Sequence, residues 1–126
     1  MKSEDLLSKG IITAAIEVHR NIGSGLLESA YERCLYKELD EAGIDVERQV
    51  ELPVNYKGMC LNCGYRLDLV VNKLVIVELK VVRRLEPIHD AQLLTYLRLS
   101  GMKLGILLNF NVLLMRDGIK RVVNDL

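Results

Sequence analysis

The stretch from Leu67 to Val82, LDLVVNKLVIVELKVV, decides how this chain is read. It is almost continuously Val, Leu and Ile, interrupted at Asn72-Lys73, and two such runs around a turn are what strands covered on both faces look like. Asp68, Glu78 and Lys80 are set into this apolar run and need partners there. An isolated buried charge costs several kcal/mol, comparable with a domain's net stability, so it persists only when compensated. Two compensations are open. One is a Glu78–Lys80 ion pair with Asp68 at the rim; the other is a divalent cation between the two carboxylates, with the lysine beside it.

Strand geometry bears on the choice. Side chains alternate, so Glu78 and Lys80 leave their strand on the same face. A two-residue loop at Asn72-Lys73 pairs Val71 with Leu74 and sends Asp68 to the face opposite Glu78. A three-residue or bulged loop over Asn72 to Leu74 pairs Val71 with Val75 and sets Asp68 across from Glu78. Facing carboxylates repel, so the second register makes physical sense chiefly with a cation between them. Such loops want a left-handed residue, which Asn72 supplies.

The rest of the chain is consistent with one α/β domain over residues 1–126, the size at which a single core forms. Half of the 126 residues are hydrophobic, and 17 basic side chains balance 17 acidic ones. No segment reaches the roughly 18 consecutive apolar residues that suggest a membrane span. The beginning, MKSEDLLSKG, has no hydrophobic signal region, which gives the expectation of a soluble, cytoplasmic protein. Cys34, Cys60 and Cys63 are an odd count at irregular spacing, unlike a disulfide framework. Cys60-Leu-Asn-Cys63 is a lone CxxC, short of the four ligands of a structural zinc site. Charge is uneven along the chain: residues 80 to 121 hold Lys80, Arg83, Arg84, Arg98, Lys103, Arg116, Lys120 and Arg121 against only Glu86, Asp90 and Asp117. That bias suits a phosphate-bearing partner and equally suits a solvated face.

Periodicity places helices and strands around the hairpin. Ser3 is expected to cap a helix to about Asn21, with Leu7, Ile11, Ala14 and Val18 at helical spacing. His19 falls on a face with Ile12, Ala15 and Ile16, the usual place of a satisfied core histidine. Gly23-Ser24-Gly25 breaks this helix, and a second is expected from about Leu26 to Ala42, stopped by Gly43. A strand is expected from about Val46 to Tyr56, with a turn at Lys57-Gly58. Pro87 begins a helix that ends at Gly101. Further strands are expected at about Lys103 to Leu108 and Val112 to Arg116, then a hairpin at Asp117-Gly118 leading to Ile119 to Val123. The order describes an α/β sandwich around one mixed sheet flanked by helices. In the second helix Glu28 shares a stripe with Tyr31, Leu35, Leu39 and Ala42. A first-turn carboxylate is explained by the helix dipole alone, and equally by an inward-facing site. Gln92 and Tyr96 are neighbours on the third helix.

Together these residues resemble a known family. Gly25-Leu-Leu-Glu28-Ser-Ala-Tyr31 matches a GxxExxY signature, and Asp68, Glu78-Leu-Lys80 and Gln92-Leu-Leu-Thr-Tyr96 follow in the order of the GxxExxY proteins, a branch of the PD-(D/E)xK nuclease superfamily. The resemblance implies a restriction-endonuclease-like sandwich and a Mg²⁺- or Mn²⁺-dependent nuclease, with one or two ions. It implies that Asp68, Glu78 and the backbone carbonyl of Leu79 bind metal, that Lys80 assists the attacking water, and that Glu28 completes the site. His19 occupies a position resembling a metal-binding histidine of RecB-like nucleases. Gln92 and Tyr96 resemble their QxxxY element, which supports the site and contacts nucleic acid. Tyr31, Arg83 and Arg84 join this substrate-binding or supporting group. The four cysteines of an iron–sulfur cluster found in some RecB-like relatives are not in the sequence.

The residue types suit that chemistry. Hydrolysis of a phosphodiester needs an aimed nucleophile and stabilisation of the phosphoryl charge, and a carboxylate-bound divalent cation supplies both. Oxygen-only ligands suit Mg²⁺ or Mn²⁺. The expected partner is nucleic acid, DNA ahead of RNA, with no membrane, and a domain this small is expected to need a homodimer to enclose a duplex. The contrasting reading is a non-catalytic module that binds nucleic acid or protein and keeps its charges as an ion-pair network.

Overall fold

The structure is a computed structural model and describes residues 2–61 and 64–126. Ser3–Ile22 forms helix α1 and Glu28–Glu41 helix α2, with Ile11, Ala14, Ala15 and Val18 of the first and Tyr31, Leu35 and Leu39 of the second buried. Ser3 is the first helical residue, not the cap; Lys2 takes the cap position and makes no side-chain bond. Helix α2 starts at Glu28 instead of Leu26 because Leu27 is still extended, with φ −71° and ψ 153°. No helix among the described residues is long and apolar enough to cross a membrane.

Among the described residues seven strands follow in two sheets. Strands β1 (Val46–Glu51), β4 (Arg66–Val71), β5 (Val75–Lys80), β6 (Leu104–Asn109) and β7 (Ile119–Val123) form one mixed sheet in the order β1-β4-β5-β6-β7. Strands β2 (Val54–Tyr56) and β3 (Met59–Leu61) pair separately. The strand expected to run on to Tyr56 is therefore split after Glu51, where Pro53 has no N–H to continue a ladder. Among the described strands β5 and β6 are the parallel pair. Their connection is helix α3 (Pro87–Ser100), the crossover a parallel pair requires. Pro87 stands in its first turn, and Gly101 ends it in a left-handed conformation with φ 79°. The fold is an α/β sandwich: α1 and α2 cover one sheet face, and Leu93 and Leu97 of α3 pack on the other.

The expected strand at Val112 to Arg116 is absent. The chain leaves β6 through a loop and makes a single 3₁₀ turn, Met115–Gly118, before β7. Asp117 and Gly118 belong to that turn and do not form a two-residue hairpin loop. A Cβ on Gly118 would stand 2.0 Å from the backbone oxygen of Asn109, so it is this close approach that requires glycine.

The β4–β5 hairpin takes the register that sets the two carboxylates across from each other. Val71 pairs with Val75 and Leu69 with Val77. Leu74 N–H donates to Val71 O at 3.0 Å, closing a turn over Asn72 (φ 51°) and Lys73 (φ 55°), and Leu74 is the extra residue of a bulge. One level further along, the sheet changes character. In β4, Leu69 and Val71 face α1 and α2, whereas Leu67 joins the α3 side although it has the same parity. In β1, Val46 and Val50 separate in the same way. The turnover falls at Gln49 and Asp68, the two residues missing from an otherwise regular β1–β4 pairing. Strand β5 does not turn over, since Val75, Val77 and Leu79 all remain on the α1/α2 side. A seam thus opens between β4 and β5 at Asp68.

Candidate functional site

The seam is closed by side chains instead of a backbone ladder. Asp68 N–H donates to Glu78 Oε2 at 2.7 Å, and Leu79 N–H donates to Asp68 Oδ2 at 2.9 Å. Glu78 is one of the few buried charged residues, 6% exposed. Burial pushes the Asp68 carboxyl up to about 6; the charges of Glu32 and Glu28 push the same way, while the Leu79 N–H and Lys80 oppose them. Burial and then the Asp68 charge push Glu78 up to about 8. Among the described residues neither carboxylate has an ion-pair partner, so the Glu78–Lys80 pair considered from the sequence does not form. What remains is a pair of mutually repelling acids with one Lys nearby.

On the α2 side a cleft of about 190 Å³ opens onto the seam, lined by Glu28, Ser29, Glu32, Gln49, Asp68 and Leu79. The Leu79 side chain is buried in the core, so its backbone is what faces the cleft. Glu28 is exposed at the first position of α2. Its location comes from Tyr31, which is fully buried, stacks on Phe110 at 4.4 Å between ring centroids, donates its hydroxyl hydrogen to Gly23 O (2.7 Å) and accepts from Leu26 N–H (3.2 Å). Tyr31 therefore pins the loop that precedes Glu28. Glu32, unremarked in the sequence, is 5% exposed and receives bonds from Gln49 and from Arg48, the latter at 3.2 Å. The sequence did carry a signal for it: Glu28 and Glu32 are four apart on one helix face.

The α3 side holds the remaining residues. Lys80 Nζ donates to Gln92 Oε1 at 3.4 Å, a long contact. Burial, then the charge of Glu78, raises the Tyr96 hydroxyl, which places that ring within the field of the seam. Beyond Lys80 the chain is clasped by Asn109, whose amide accepts from Val82 N–H (3.1 Å) and donates to Val82 O (2.9 Å). Asn109 is 2% exposed and acts as a substitute strand that fixes where β5 ends. Arg83 and Arg84 follow on the exposed side, with Arg84 near Glu86 at 3.6 Å.

Other sequence expectations meet different surroundings. His19 Nε2 bonds to Val112 O at 2.8 Å, with the ring beside Phe110, and lines a separate groove with Ile16, Arg20 and Leu114. That nitrogen is thereby committed away from the seam. Lys120 and Arg121 of the basic half pair with Asp90 and Asp5, so part of the charge bias is neutralised locally. Cys34 and Cys60 are free thiols, and Asn62 and Cys63 of the CxxC lie outside the described residues. Among the described residues no three His, Cys, Asp or Glu side chains gather as a ready metal cage. A cation in the seam would rest on two carboxylates, a carbonyl and water, a set that suits Mg²⁺, which keeps several of its waters.

A mixed sheet sandwiched by helices, opened at one seam where an aspartate meets a Glu-x-Lys strand, defines an α/β sandwich with an acidic cleft. The family model of the PD-(D/E)XK nuclease superfamily matches residues 5–122, and the chain belongs to that superfamily. No curated protein and no solved structure matches the chain.

Proposed function

We propose that this protein is a Mg²⁺- or Mn²⁺-dependent phosphodiester hydrolase acting on nucleic acid, DNA ahead of RNA. The observation that carries the reading is the seam: a half-buried Asp68 and a buried Glu78, both held above the usual acid range, with no cationic side chain paired to either among the described residues. An all-oxygen donor set with surplus negative charge fits a hard divalent cation. Asp68 and Glu78 would hold it, with the Leu79 carbonyl as a further ligand. In a strand the N–H and C=O of one residue point to the same edge, and the Leu79 N–H already points at Asp68. The cation, when bound, supplies Lewis-acid stabilisation of phosphoryl charge and a more acidic water.

The chain's own residues do the rest. Lys80 stands beside both carboxylates, close enough for its charge to lower each, and is steadied by Gln92. It orients the water and offsets charge on the phosphate. Glu28 reaches the cleft from α2 and helps set the water's direction. Arg83 and Arg84, exposed just beyond Lys80, meet neighbouring phosphates, and Tyr96 with Gln92 borders the strand being cut. The GxxExxY and QxxxY resemblances support the same assignment.

A second reading is favoured by the closed hydrogen bonding of the seam: Asp68 and Glu78, each accepting a backbone N–H, are a structural pair in a non-catalytic binding module. Calorimetric titration with Mn²⁺ and a cleavage panel separate the two. The panel uses single-stranded, duplex and branched DNA and RNA, each with Mg²⁺, Mn²⁺ or EDTA. Mn²⁺ binding that vanishes in Glu78→Gln, with EDTA-sensitive cleavage, supports the hydrolase; neither signal on any substrate supports the module.

A further inference from the structure

Gln49 sits inside β1 with φ 51°, in the left-handed region. Non-glycine residues there are strained by roughly 1–2 kcal/mol, and Asn, Asp or Gly is the usual occupant. The strain does nothing for register, because Arg48 pairs with Leu69 and Val50 with Leu67 as if no irregularity lay between them. What it changes is direction. Consecutive strand residues normally point to opposite faces, yet Arg48 and Gln49 both reach the same buried acid, Glu32.

The chemistry at Glu32 then determines how Gln49 presents itself. A carboxylate beside an arginine only accepts hydrogen bonds, so the amide of Gln49 must turn its NH₂ toward Glu32. Its Oε1 is left with no protein partner among the described residues. Gln49 also lines the cleft that Asp68, Glu28 and the Leu79 backbone share. A strained residue, anchored by buried Glu32 and its half-buried partner Arg48 and facing a polar cleft with a spare acceptor, is the pattern expected when conformation serves a reaction.

We propose that Gln49 is a catalytic residue of this cleft: its Oε1 accepts a hydrogen bond from the hydrolytic water beside Asp68 and turns a lone pair of that water toward phosphorus. Glu32 and Arg48 are positioning residues that hold the amide. The inference rests on the hydrolase reading. In the reaction the water oxygen bonds to phosphorus, the bond from phosphorus to the leaving oxygen breaks, and one water proton is lost to solvent while the leaving oxygen gains one. Gln49 exchanges no proton and only orients.

The test uses Gln49→Gly, Gln49→Asn and Glu32→Gln in the full chain. Melting temperature in EDTA is measured alongside kcat and KM on the best substrate of the cleavage panel. Gly and Asn both accept positive φ, and water from the open cleft can replace Gln49 on Glu32, so the two position-49 variants are expected to melt no lower than wild type. Asn is one methylene short, a displacement of about 1 Å that costs on the order of 100-fold in rate. Both position-49 variants are expected to lose kcat on that scale with KM changed by less than about threefold, the signature of an interaction made in the transition state. Glu32→Gln is expected to lower kcat in the same direction. Wild-type kcat in Gln49→Asn overturns the proposal and leaves the hydrolase reading standing. A melting temperature that drops sharply in both position-49 variants overturns it too, because the strained conformation then serves folding. A wild-type chain inert on every substrate removes the hydrolase reading and this proposal together.

Discussion

Two physical demands coincide at Glu28. A carboxylate at the first position of α2 meets the positive end of the helix dipole, worth about 0.3–1 kcal/mol. The same charge raises both Asp68 and Glu78, so it also repels the seam. The two effects oppose each other, and Glu28→Gln is expected to leave the melting temperature in EDTA close to wild type while abolishing cleavage and weakening the stabilisation by Mn²⁺. Thermal melts with and without Mn²⁺, with a cleavage assay, check this; an active Glu28→Gln with unchanged Mn²⁺ response reduces Glu28 to its dipole role. Lys80 poses the complementary question. Among the described residues it makes no ion pair and one long contact to Gln92, so Lys80→Ala is expected to cost no more than about 1 kcal/mol in urea unfolding while eliminating cleavage. A loss of roughly 3–5 kcal/mol instead would mean that Lys80 holds a buried charge in place.

At the scale of elements, the segment between β6 and β7 departs most from its sequence pattern. Val112 to Arg116 is a short apolar run of the kind that forms a strand, and Asp117-Gly118 looks like a hairpin turn. The chain instead winds a 3₁₀ turn that packs Gly118 onto the end of β6. That packing predicts a specific sensitivity. In Gly118→Ala the new methyl meets a backbone oxygen that cannot rotate away, so destabilisation of roughly 3 kcal/mol is expected, the upper end of the usual overpacking cost. Equilibrium denaturation measures it, and a neutral Gly118→Ala would mean that the turn yields freely. Gly105 offers the comparison: its added Cβ would lie 2.7 Å from the buried Leu93 side chain, so there the obstacle is a core side chain instead of a backbone oxygen.

For the whole molecule the consequence of the seam is a pH-dependent stability. Asp68 and Glu78 have folded values of about 6 and about 8, above those of an unfolded chain, so the native state binds more protons across that interval. Their contribution is fully present below the ordinary carboxylate range and is lost as pH rises through 6 and then 8. In EDTA the melting temperature is therefore expected to fall from pH 5 to pH 8.5, with Glu78→Gln flattening the slope. Under the hydrolase reading, Mn²⁺ restores stability at the alkaline end, because it binds the deprotonated pair. Melts across pH in EDTA and in Mn²⁺ decide it; a Glu78→Gln protein with the same pH slope as wild type would sink the account.

The sequence by itself determined what local chemistry encodes. The apolar runs of β4 and β5, the left-handed residue at Asn72, Pro87 and Gly101 bounding α3, and the glycine break before α2 act within a few residues of themselves, so their outcome could be read directly. The face of Glu78 and Lys80 followed from strand parity, and the position of Asp68 across from Glu78 followed once the turn was bulged. Tertiary structure alone decided how the site is assembled. Glu32 meets Arg48 and Gln49 across 16 and 17 residues of chain, and Asn109 clasps Val82 across 27. Nothing in a Gln side chain announces a left-handed backbone, and nothing in Gly118 distinguishes a hairpin turn from a carbonyl pressed against it. Those features arise when separate elements compete for the same space and the same hydrogen bonds, a competition that exists only after the sheet has formed.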